Sequence, residues 1–66
     1  MSSSLAAQLA SICYSVEELT TRISTASEAE REGKREDVAN ALEEIERSFR
    51  SGIRRLDRLV RDLDRR

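Results

Sequence analysis

The chain has 66 residues, a net charge of −1, 38% charged side chains, one Cys, no His and no Pro. A chain this short makes a single unit with a small core, and its near-neutral charge excludes a global attraction to nucleic acid or acidic membranes. No apolar run approaches the ~20 residues of a membrane span, Met1-Ser2-Ser3-Ser4 lacks the basic start of a secretory signal, and a lone Cys13 points to a reducing, cytoplasmic setting.

Residues 1–4 are expected to form a short tail, with Ser3 or Ser4 capping the first helix through a side-chain oxygen. That helix is expected over about 5–32. Its apolar residues Leu5, Leu9, Ile12, Val16, Leu19, Ile23 and Ala26 step alternately by four and three, the a/d spacing of a packed helical seam. Residues 1–16 carry no charged side chain, so Ala7, Ala10, Ser11 and Tyr14 stand on the outer face where charges are usual. Tyr14 is at an f position. The small and aromatic side chains around it suit docking of another helix; the plainer reading is a neutral solvated surface. Cys13 lies beside the seam as a small buried hydrophobe, as the thiol of a cross-dimer disulfide, or as a redox switch. No His or Lys lies near it in sequence to activate it.

The strongest turn signal is Glu32-Gly33-Lys34-Arg35. Gly33 is placed to take the left-handed conformation that ends a helix. The turn is expected at 33–35.

A second helix is expected over about 36–66. Glu36 and Asp37 face the positive end of its dipole, and Arg65 and Arg66 the negative end. Its ladder reads Val38, Leu42, Ile45, Phe49, Gly52, Leu56, Leu59 and Leu63. Gly52 costs ~1 kcal/mol relative to Ala in mid-helix, which points either to a close approach by a neighbour or to a tolerated imperfection. Arg47, Arg50, Arg54, Arg58, Arg61 and Arg65 form one outward stripe. Such a stripe suits a polyanion, whether RNA, DNA or an acidic protein. It also suits a solvated face laced with ion pairs, because Glu43–Arg47, Glu46–Arg50, Asp57–Arg61 and Asp62–Arg66 have i,i+4 spacing. No aromatics are interleaved for base stacking. From Arg47 to Arg66 eight Arg oppose three Asp; from Glu28 to Glu46 eight acids oppose Arg31, Lys34 and Arg35. The turn end is therefore acidic and the open end basic.

Matching residues whose numbers sum to 68 pairs every rung of the two ladders except Val38, from Leu5 with Leu63 to Ala26 with Leu42. The expected fold is an all-α antiparallel helical hairpin, and this agreement favours it over one long straight helix. Ala6, Cys13, Ala39, Ile53 and Val60 widen the stripe on its e side. An a/d/e face belongs to a multi-helix core, so dimerisation into a four-helix bundle is expected.

These patterns predict a non-enzymatic protein–protein interaction module: an adaptor, a regulator or a subunit of a helical assembly. Ala10, Cys13, Tyr14, Ile53 and Val60 are its candidate partner-binding residues. The partner is a second copy or another helical protein. The alternative is a dimeric nucleic-acid-binding regulator using the Arg stripe. No cofactor, metal, membrane or small-molecule substrate is expected, because no catalytic set, phosphate loop or metal spacing occurs.

Overall fold

The computed structural model describes residues 2–65, with side chains from residue 4 onward. Two α-helices, α1 (Ser2–Glu32) and α2 (Glu36–Arg65), pack along their lengths as a hairpin. It is 50 Å long and 14 by 9 Å across. No described helix is long and apolar enough to cross a membrane.

Helix α1 starts earlier than expected. Ser3 and Ser4 lie inside it instead of capping it. No Pro or Gly interrupts this segment, and the Ala-rich stretch that follows favours helix. The last residue, Arg66, lies outside the described residues; Arg65 occupies the last turn of α2.

The turn corrects a second expectation. Lys34, with φ 64°, takes the left-handed conformation, and Gly33 does not. The Arg35 amide donates to the Glu30 carbonyl at 2.8 Å, and the Lys34 amide to the Arg31 carbonyl at 3.1 Å. These are the 6→1 and 5→2 bonds of a Schellman motif, whose left-handed residue sits one position beyond the helix cap. Gly33 still donates to Ala29 in the helical manner, at 3.0 Å, so it is the cap itself. Arg35 then serves as N-cap of α2, its carbonyl accepting from Ala39 at 3.0 Å.

The seam between the helices differs most from the expectation. The a positions Leu9, Val16, Ile23, Leu42, Phe49, Leu56 and Leu63 are half-buried in it. Its other column is e rather than d. Ala6, Thr20, Ser27 and Ala39 are the buried residues, and Cys13, Glu46, Ile53 and Val60 are half-buried beside them. The d residues Leu5, Ile12, Leu19, Val38, Ile45 and Leu59 stay 37–49% exposed. The e column of α1 (Ala6, Cys13, Thr20, Ser27) contains only small side chains, so the backbones approach most closely there. Side chains as large as Leu at d would hold them apart. Polar atoms at this contact find partners nearby: the Ser27 hydroxyl donates to the Ala39 carbonyl at 3.2 Å, and the Thr20 hydroxyl to the Val16 carbonyl at 2.6 Å. No buried side-chain polar atom among the described residues lacks a partner.

Candidate docking faces

Rotating the seam from a/d to a/e divides the hairpin into an apolar and a polar face. On the apolar face, Leu19, Ile23 and Ala26 of α1 and Leu42 and Phe49 of α2 line one shallow groove, with Arg22 at its edge. Leu19 with Phe49, and Ala26 with Leu42, are two of the pairs whose numbers sum to 68. The exposed d residues extend this face along the hairpin. Gly52 belongs to the same d column, and nothing lies within 4 Å of where its Cβ would stand. Among the described residues no neighbour would touch a Cβ at Gly52, so within one chain the close-approach reading does not hold.

A single hairpin leaves its apolar residues poorly covered. No large side chain among the described residues is fully buried, and the buried hydrophobic residues are Ala6 and Ala39 alone. The accessible surface is 5207 Å² for a 7.5 kDa chain. A compact globule of that mass exposes roughly 4,200 Å². The excess, roughly 1,000 Å², is close to the ~800 Å² that one partner contributes to a standard protein–protein interface.

The opposite face is polar and grooved. Ala10, Cys13, Tyr14 and Val60 line one groove together with Glu17 and Asp57. Ile53 lines the next, with Glu17, Thr20, Thr21, Arg50 and Arg54. The five sequence-derived partner-binding residues therefore fall along this face, but their accessibility differs. Tyr14 is 70% exposed and Ala10 is exposed, whereas Cys13, Ile53 and Val60 are half-buried in the seam. The e side, read from sequence as the surface for a second hairpin, is taken up by the first. Burial, followed by the Glu17 and Asp57 carboxylates, pushes the Cys13 thiol above its ordinary pKa. This favours the protonated, unreactive form.

The Arg stripe is partly neutralised. Arg50 pairs with Glu46 at 2.6 Å, and Arg61 with Asp57. Glu43, expected to pair with Arg47, instead meets Arg31 at 2.9 Å. The Asp62–Arg66 pair lies outside the described residues. Arg47, Arg54, Arg58 and Arg65 are exposed and make no ion pair among the described residues.

Arg31 clamps the turn, a part that the residue pattern does not single out. Besides Glu43, it reaches Glu36 at 3.5 Å and donates to Asn40 Oδ1 at 3.1 Å, tying the end of α1 to the start of α2. The pair partners are substantially exposed, so each bond contributes little energy; together they orient the turn. The only available signal was a basic residue in the last turn of the first helix, and that pattern is too common to identify a clamp.

The site that emerges is an uncovered apolar face backed by a charged one. The grooves along both faces are open to solvent. Comparison with known proteins finds no family that matches this chain, no similar curated protein and no similar solved structure.

Proposed function

We propose that the chain is a non-enzymatic protein-interaction module that acts through its open apolar helix face. A small adaptor, a regulator and a subunit of a larger helical assembly all fit this description. In its simplest form two hairpins pair into a homodimeric four-helix bundle. The observation that supports this most is the exposed d column. Six large aliphatic side chains lie in register on one face, and exposed apolar patches of this kind mark interaction sites. Symmetric pairing covers the same face on both copies at once. Sedimentation equilibrium of the full chain tests the proposal. A dimer of about 15 kDa, twice the 7.5 kDa chain mass, is expected at micromolar concentration. A monomer at every concentration up to about 1 mM, with no partner needed for stable helix, refutes it.

A second reading, a dimeric nucleic-acid-binding regulator, is supported by the part of the Arg stripe that makes no ion pair among the described residues. Replacing Arg54 and Arg58 by Glu removes two of these cations and leaves the apolar face untouched. On this reading, nucleic-acid binding is lost while the dimer persists. Absence of binding by the unmodified chain at low salt, where phosphate contacts are strongest, removes it.

A further inference from the structure

We infer that a second copy of the chain covers the apolar face head to tail, its turn lying against the open end of the first; this rests on the self-association proposed above. Three independent features of the hairpin lead to it.

The first is area. The surplus of roughly 1,000 Å² over a compact globule matches one side of an ordinary interface. A second hairpin, with an apolar face of the same length and width, is the occupant that covers this surface from end to end.

The second is charge. The acids between Glu28 and Glu46 crowd the turn end, and the Arg residues between Arg47 and Arg66 crowd the open end, where residues 1–16 contribute no charge. Two copies docked in the same direction place like charge against like at both ends. Reversing one copy sets the acidic turn against the basic open end, twice, by symmetry. Complementary potentials of this kind select orientation.

The third is side-chain volume. The Ser27–Ala39 hydrogen bond sets residues with numbers summing to about 66 near one level, and at that register, as at a sum of 68, the d residues run from the open end to the turn as Leu5, Leu59, Ile12, Gly52, Leu19, Ile45, Ala26 and Val38. The midpoint of the column falls between Gly52 and Leu19. Reversal brings first level with last. Leu5 then lies level with Val38 of the second copy, Leu59 with Ala26, Ile12 with Ile45, and Gly52 with Leu19. Both small residues are matched by Leu, and the open space at Gly52 receives a side chain. Docking in the same direction sets Gly52 level with Gly52 and Ala26 level with Ala26. That leaves two thin levels beside overfilled ones, and cores tolerate neither voids nor overpacking well.

Intermolecular distance tests the arrangement. A spin label at Glu32→Cys, in a Cys13→Ser background of the full chain, sits beside the turn on an exposed position. Head-to-tail docking separates the two labels by about 29 levels of 1.5 Å, or about 45 Å. Same-direction docking brings them to within roughly 25 Å, the helix spacing plus label reach. A distribution centred near 45 Å in a species of dimer mass is the expected result. A distance below roughly 25 Å in that species overturns the orientation and leaves self-association standing. Monomer mass with no intermolecular coupling overturns both. The same samples supply a second readout. Head-to-tail docking requires the dimer to weaken as salt rises, and strengthening with salt counts against it.

Discussion

Truncating the d column separates assembly from folding of the hairpin. Ile12, Leu19 and Ile45 are 49%, 45% and 44% exposed, so about half of each side chain remains to be covered. Complete burial of Leu or Ile contributes ~1.5–3 kcal/mol, which leaves about 1 kcal/mol per side chain for a partner to supply. In a two-fold dimer each substitution counts twice, or about 2 kcal/mol, roughly a 30-fold rise in Kd. The triple variant Ile12→Ala, Leu19→Ala, Ile45→Ala is expected to lose about 6 kcal/mol of association, on the order of a 10⁴-fold rise in Kd. Sedimentation equilibrium across a dilution series measures this directly. Ile53→Ala is the contrasting variant, because Ile53 lies in the seam: it is expected to lower helicity at every concentration. A triple variant that dimerises as tightly as the parent refutes the assignment of the d column to an intermolecular interface.

The remaining predictions concern single positions. Lys34→Gly relieves a left-handed residue that costs ~1–2 kcal/mol, partly offset by the greater freedom of Gly in the unfolded chain, so a gain of about 0.5–1 kcal/mol is expected in urea unfolding. Gly33→Ala is expected to be tolerated, since a Cβ there meets only ordinary contacts at 3.5 and 3.6 Å; a loss above about 1 kcal/mol would show that Gly33 needs a left-handed backbone after all. Gly52→Leu is expected to raise helicity at low concentration, by about 1 kcal/mol of propensity, while weakening the dimer, and an unweakened dimer would remove Gly52 from the interface. The raised pKa of Cys13 predicts slow alkylation at neutral pH. The rate should still be climbing above the ordinary thiol range, and Glu17→Gln should accelerate it by removing a charge that opposes the thiolate; a rate equal to that of an unstructured cysteine peptide at neutral pH contradicts this.

Much of the architecture is legible in the residue pattern because it depends on local, periodic forces. Two uninterrupted helices follow from the 3.5-residue apolar repeat and the absence of Pro, and their junction follows from the one strong turn signal. The turn shows the limit of such reasoning. Gly33 marks the right place, but the hydrogen bonds from Lys34 and Arg35 move the left-handed position one residue on. Which of two adjacent residues adopts it depends on how the second helix is aimed.

The ladders themselves carried an ambiguity that periodicity does not resolve. A wide stripe of a, d and e positions states that three columns are apolar or small, and leaves open which two face the partner helix. Three-dimensional packing settles it through size. The small e residues of α1 let the backbones close together, drawing Ala39, Ile53 and Val60 into the seam and leaving Leu5, Ile12, Leu19, Val38, Ile45 and Leu59 outside it. Sequence alone determined a helical hairpin with more apolar surface than it can bury. Tertiary structure decided which surface is left over, because close approach of two helices depends on the bulk of side chains from both, which no single column of either reveals.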